Sequence, residues 1–172
     1  MTIHRITRIS LSILTIFWGT FMIGCSSPLL KTKIFGTLTS QQRLLIATKP
    51  SDFKNAIVHD IQWAFEGKDC YIKVIDLSEL ENEAPEDYHA VVILNEYKLF
   101  RLDSNVNQFL GKIDDQQKKK IIILTTSGTS TPPDIPDIDA LTSASVADQS
   151  DAVSEKIIKK VFNLFQLDSP ET

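Results

Sequence analysis

The chain has 172 residues, 42% of them apolar and 23% charged, with a formal net charge of −4 and two cysteines. That length suits one core of ordinary size rather than several. An acidic chain whose one basic cluster is Lys118-Lys119-Lys120 lacks the cationic footprint of a nucleic-acid binder, and that cluster leads straight into an apolar strand, as a solvated strand start does.

At the N-terminus, Arg5 and Arg8 precede a mostly apolar run over residues 9–23, broken only by Ser10, Ser12, Thr15, Gly19 and Thr20. A cationic start, an apolar middle and a small residue at a cut site make up a secretory signal. The run is shorter than the roughly 18–20 residues that a spanning helix needs, which puts an uncleaved anchor second. Met22-Ile23-Gly24-Cys25 resembles the lipobox of bacterial lipoproteins, with Met22 where leucine is usual and Ile23 where alanine or serine is common. The resemblance implies that residues 1–24 are removed as a signal peptide and that Cys25 becomes the lipidated first residue. Membrane lipid is then the partner expected through Cys25, because two or more acyl chains hold a protein firmly where one holds it marginally. Ser26 after the cysteine resembles the pattern for sorting onward to the outer membrane, at its periplasmic face in a Gram-negative cell. Lipidation of Cys25 leaves Cys70 a buried, unpaired thiol at the start of a strand instead of half of a disulfide.

Residues 25–42 read as the lipidated N-terminus and a tether, an irregular lead-in whose Leu29, Leu30, Ile34, Phe35 and Leu38 are apolar enough to pack on the domain or the membrane surface. Regular alternation starts at Arg43, and 43–172 reads as the folded domain. Leu44-Leu45-Ile46-Ala47 is apolar throughout, as suits a strand covered on both faces. A helix follows, with Ser51 as N-cap and Phe53, Ala56, Ile57, Ile61, Ala64 and Phe65 at three- and four-residue intervals. Gly67 stands where a C-cap glycine belongs. The segment 71–77 alternates polar and apolar residues as an edge strand does, and the acidic stretch 78–87 reads as a loop with one helical turn. Ala90-Val91-Val92-Ile93-Leu94 is a third strand. Val106, Phe109, Leu110 and Ile113 mark a second helix, capped by Asp103 or Ser104. A fourth strand covers 121–124, a proline-rich loop follows at 132–136, and a short fifth strand lies at 138–142. The last helix, 150–164, carries a stripe of Val153, Ile157, Val161 and Leu164. Strands alternating with helices predict an α/β fold: a doubly wound parallel five-stranded sheet with helices on both faces.

Tyr88-His89-Ala90-Val91-Val92-Ile93, then Val106-Asn107-Gln108-Phe109-Leu110, then the run from Lys119 through Ile121-Ile122-Ile123-Leu124 to Thr125-Thr126-Ser127-Gly128 resemble the middle of a flavodoxin-like domain. That resemblance implies the flavodoxin strand order, with FMN held by three loops at the carboxyl ends of the strands. In the first loop, Thr48-Lys49-Pro50-Ser51-Asp52, Thr48 and Ser51 retain hydroxyls, but the phosphate-wrapping glycine is absent. Pro50 removes a backbone donor, and Asp52 sets a carboxylate at the helix start where a phosphate would lie. The second loop, 94–101, lacks the family's glycine and proline and offers Tyr97 as a stacking ring. The third, Thr125-Thr126-Ser127-Gly128, keeps donors and a flexible glycine. Residues 139–145 are similar to the covalent flavin-attachment motif, with Ser145 at the acceptor position, but lack its glycine. A short strand turning into the last helix accounts for them better.

No other chemistry stands out. His59 and His89 have no cysteine or carboxylate at metal-ligand spacing, and Glu79, Glu81, Glu83, Glu86 and Asp87 lack the pattern of a calcium loop. Ser127-Gly128 is no nucleophile elbow. The sequence therefore leans away from an enzyme. It points to a lipid-anchored, non-catalytic binding or scaffolding module at the cell envelope, with an envelope protein as partner. The alternative is a membrane-tethered FMN flavoprotein in electron transfer.

Overall fold

The three apolar runs that read as strands lie side by side at the centre of one sheet. The computed structural model describes residues 30–98, 101–127, 138–144 and 149–167. Its strands are β1 (Lys33–Phe35), β2 (Gln42–Thr48), β3 (Cys70–Asp76), β4 (Ala90–Glu96), β5 (Ile121–Thr126) and β6 (Asp139–Ser143), in the order β1-β3-β2-β4-β5-β6. Strands β2 to β6 are parallel and follow the flavodoxin-like order. Strand β1 pairs antiparallel with β3. The expected parallel five-stranded sheet is present, and a sixth strand makes the whole sheet mixed.

The helices are α1 (Asp52–Ala64), α2 (Ser104–Leu110), α3 (Asp115–Lys118) and α4 (Ser150–Phe165). Side chains alternate across a strand, so β2 sends Leu44 and Ile46 to one face and Leu45 and Ala47 to the other, all fully buried. Helices α1 and α4 cover the first face with Ile57, Ile61, Ile157 and Phe162. The second face lies under α2 and a 3-10 turn over Leu77–Asn82, through Leu77, Leu80, Val106 and Phe109. Burial on both faces is why β2, β4 and β5 show no polar alternation. Phe65 stacks on Phe162, with ring centroids 4.8 Å apart, and ties the end of α1 to α4.

Several local features differ from the sequence reading. Strand β1 comes from the stretch read as an irregular lead-in. Gly36 ends it with φ 76°, and a Cβ there would stand 2.1 Å from the Cys70 carbonyl oxygen, so only glycine lets the chain turn so close to β3. Strand β3 is not an edge: β1 covers it, and the charge of Lys73 that suggested exposure is matched by Glu83 at 2.6 Å. The acidic stretch holds two 3-10 turns, Leu77–Asn82 and Pro85–Asp87, where a crossover helix would otherwise lie. Gly67 has φ 74° but sits two residues beyond Phe65, the observed cap of α1. The proline-rich loop at 132–136 and Ser145 lie outside the described residues.

Candidate functional site

In a doubly wound sheet the ligand crevice lies outside the carboxyl ends of the strands, where the strand order reverses. That point falls between β2 and β4, whose register sets Thr48 beside Leu94. Beyond β2, the buried Thr48 hydroxyl donates to the Lys49 carbonyl at 3.1 Å. Ser51 caps α1, its Oγ accepting from the Lys54 amide at 3.3 Å, and Asp52 is exposed in the first turn. Beyond β4, the Tyr97 amide donates to the Thr126 carbonyl at 2.8 Å, and Lys98 and Arg101 exchange backbone hydrogen bonds of 3.1 and 3.0 Å. Asp103 then caps α2, Oδ1 accepting from the Asn105 amide at 2.9 Å, while its own amide donates to Asn95 Oδ1 at 3.2 Å. At the end of β5, the Thr126 hydroxyl donates to the Asn95 carbonyl at 3.2 Å and the Ser127 amide to the Ser143 carbonyl at 3.2 Å.

The sequence-predicted residues Thr48, Ser51, Tyr97, Thr125, Thr126 and Ser127 thus share one rim, at the ends of β2, β4 and β5. Three of their hydroxyls are already used: those of Thr48 and Thr126 by backbone carbonyls and that of Ser51 by a helix amide. Thr125 is buried. Cys25 and Gly128 lie outside the described residues.

Charge across the rim is largely matched within the chain. Lys49 Nζ lies 2.5 Å from Asp103 Oδ2, which links the loop after β2 to the start of α2 across the crevice. Burial works to raise the pKa of Asp103, but the bond from Lys49 and the Asn105 amide outweigh it and hold the carboxyl below its ordinary range. At the end of β3, burial opposes ionisation of Asp76. The amides of Ser78 and Leu30, the Ser78 hydroxyl and the charge of Lys49 win, and the pKa falls. Glu96 pairs with Lys98 at 2.9 Å.

At this rim, two groups lack a hydrogen-bonding partner among the described residues. Lys54, in the first turn of α1, is only 4% exposed, and its ammonium has no hydrogen bond or ion pair among the described residues. Burial lowers its pKa, opposed by the attraction of Glu96 and supported by the repulsion of Lys98 and Lys49. Asn95 Nδ2 is buried without a partner. The sequence reading overlooked both. The signal for Lys54 was its place on the helix stripe, three, four and seven positions before Ile57, Val58 and Ile61, a face that is normally apolar.

No family model matches the sequence, and no curated protein matches it. Among solved structures, the metal-soaked Flv1 flavodiiron core from Synechocystis sp. PCC6803 superposes with a TM-score of 0.50 at 10% identity, over 74% of this chain and 36% of that one. The chain therefore spans little more than a third of that protein. A flavodoxin from the domain Archaea aligns over 73% of this chain and 99% of its own, with 12% identity and a TM-score of 0.49. The fold is flavodoxin-like. At such identities the likeness speaks for architecture and not for ligand.

FMN, the cofactor implied by the resemblance, must be judged on the residues present. They do not fit it well. The Thr48 hydroxyl is turned onto its own chain, Pro50 offers no amide, and Lys49, the loop's one cation, is paired with Asp103. Lys54 is the exception, a cation at a helix start.

The remaining candidate clusters serve the fold. Glu83 accepts from Lys73 and from the Tyr88 hydroxyl at 2.5 Å, Glu79 from Thr32, and Glu86 from Gln117, so these carboxylates of the acidic stretch have partners inside the chain. In the basic cluster, Lys118 pairs with Asp115 at 2.8 Å and Lys120 donates to the Tyr88 carbonyl at 3.0 Å. Cys70 is buried. Desolvation first and Asp69 second push its thiol up to about 12, which keeps it protonated and unreactive at neutral pH.

Proposed function

We propose that the chain is a lipid-anchored protein of the bacterial cell envelope, held through Cys25, whose flavodoxin-like domain is a non-catalytic binding module. The anchor rests on the cationic start, the apolar run 9–23 and Gly24-Cys25. Ser26 favours the periplasmic face of the outer membrane in a Gram-negative cell, where an envelope protein is the partner. The observation that carries the module reading is the Lys49–Asp103 pair, in which the loops after β2 and β4 match each other's charge with the chain's own groups. One observation favours the alternative, a membrane-tethered FMN electron carrier: the unmatched ammonium of Lys54 at the start of α1 is what a bound phosphate would neutralise.

Both parts are tested on one preparation, the full chain expressed in a lipoprotein-processing bacterium and purified from its membranes. The expected product is colourless and has the mass of residues 25–172 plus a lipid group, while Cys25→Ala is neither lipidated nor membrane-bound. An unmodified Cys25 removes the anchor. A yellow protein carrying stoichiometric FMN removes the module reading and establishes the electron carrier.

A further inference from the structure

Five large apolar side chains are exposed among the described residues: Ile34, Phe35, Leu38, Trp63 and Leu167. The first three belong to β1 and the turn after it. Phe35 and Trp63 line one groove of about 370 Å³, together with Phe65, Lys68 and Cys70. Leu38 is 69% exposed and Trp63 74%. Because β1 is the outermost strand, side chains from both of its faces, Ile34 and Phe35, reach whatever meets the sheet edge-on. Apolar surface gathered in this way marks an interaction site.

Where the chain joins this edge identifies the partner. The Leu30 amide donates to Asp76 Oδ2 at 3.1 Å and the Thr32 hydroxyl to Glu79 at 2.9 Å, so the lead-in to β1 is fixed to the domain. Cys25 precedes Leu30 by five positions, which allows at most about 18 Å of chain between them. A lipid on Cys25 therefore holds the β1 side of the domain close to the bilayer. The charge agrees. Residues 31–38 contain Lys31 and Lys33 and no carboxylate, Lys68 adds a third cation in the groove, and Glu66 is the groove's one carboxylate. Glu79, which accepts from Thr32 between the two lysines, offsets part of this charge, so the groups named come to three cations against two carboxylates, a small excess of the sign that anionic headgroups attract. An indole such as that of Trp63 is suited to the boundary between headgroups and acyl chains. A second copy is the poorer occupant, because a three-residue edge strand that begins with lysine discourages strand pairing.

We infer that the β1 edge and the adjoining face of α1, through Ile34, Phe35, Leu38 and Trp63 and the cations Lys31, Lys33 and Lys68, dock on an anionic phospholipid surface and lay the domain edge-on against the bilayer. The inference rests on the lipid anchor at Cys25 proposed above. It extends that reading from attachment to orientation.

The test uses the full chain carrying Trp18→Phe, so that Trp63 is the sole tryptophan whether or not the leader is removed. The protein is reconstituted in vesicles of phosphatidylethanolamine and phosphatidylglycerol, with and without bromine on the acyl chains. Docking predicts that brominated lipid removes roughly half of the Trp63 emission, as expected for a ring at the acyl boundary. Lys33→Glu with Leu38→Asp should abolish that quenching while the protein still floats with the vesicles. Both positions are exposed, so circular dichroism should show an unchanged fold. Unquenched emission from protein that floats overturns the docking and leaves the anchor standing. If protein with an unmodified Cys25 fails to float, the anchor reading has failed, and Trp63 quenching on added vesicles then decides the docking alone. Unquenched emission with a dimer that Leu38→Asp dissolves assigns the surface to a second copy and overturns the proposal.

Discussion

At the carboxyl ends of β2, β3 and β4, charged and polar groups are mostly matched within the chain: Lys49 by Asp103, Asp76 by Ser78 and Leu30, Glu96 by Lys98. Along β1 and the outer side of α1, Ile34, Phe35, Leu38 and Trp63 face outward. The flavodoxin-like fold leads one to expect the reverse, a receptive crevice at the strand ends and an inert edge. The difference teaches that a fold's customary site can have its charges matched by the chain's own side chains while an added strand exposes apolar groups elsewhere.

The largest effect expected is on the edge. Gly36→Ala needs φ 76° and puts a methyl group against the Cys70 carbonyl, so it should cost about 3 kcal/mol in chemical denaturation. A variant as stable as the parent would mean that β1 is not seated on β3 as described. Next comes the crevice. Asp103→Ala removes a helix cap and the partner of Lys49, for a loss of about 2 kcal/mol at neutral pH. The folded pKa of Asp103 is lowered, so its charge stabilises the fold above the ordinary carboxylate range, and this contribution disappears as pH falls through the folded value. The gap between variant and parent should therefore narrow in acid. A gap that is constant with pH would show that the ion pair contributes nothing.

The sequence showed how much of this was legible. Strands β2, β4 and β5 could be read directly because burial on both faces demands unbroken apolar runs, and Ser51 announced the start of α1. Strand β1 could not. Lys33-Ile34-Phe35 is short and exposed, and it is a strand only because β3 offers it a partner. The edge-like pattern of β3 misled for a related reason: Lys73 is matched by Glu83 from the following turn. At the site, the rim threonines and serines were placed by strand ends alone. The Lys49–Asp103 pair joins residues 54 positions apart and leaves no local trace, and a single lysine in an amphipathic helix such as Lys54 ordinarily reads as solvated.

Smaller effects sharpen the contrast. Lys54→Met should stabilise the protein by about 1 kcal/mol near neutral pH, because a lysine whose stem is largely buried and whose ammonium has no hydrogen bond among the described residues is replaced by a side chain of similar shape. The lowered folded pKa of Lys54 means that its penalty is present at neutral pH and fades as pH rises through that value towards the ordinary lysine range, so the advantage of Met should fade in alkali. A destabilised variant would mean that the ammonium has a partner. Trp63→Ser, at an exposed position, should change stability by less than about 0.5 kcal/mol, since its role is outward. A larger loss in thermal denaturation would place Trp63 in the core.

The most direct measurement is hydrogen exchange on the full lipidated chain, in detergent and in phosphatidylglycerol-containing vesicles, each with and without FMN. The account predicts that vesicles slow exchange over residues 31–38 and 59–68, and that FMN leaves residues 48–54 and 95–103 unchanged. Protection of the strand-end segments by FMN, with no response of the β1 edge to vesicles, would contradict it.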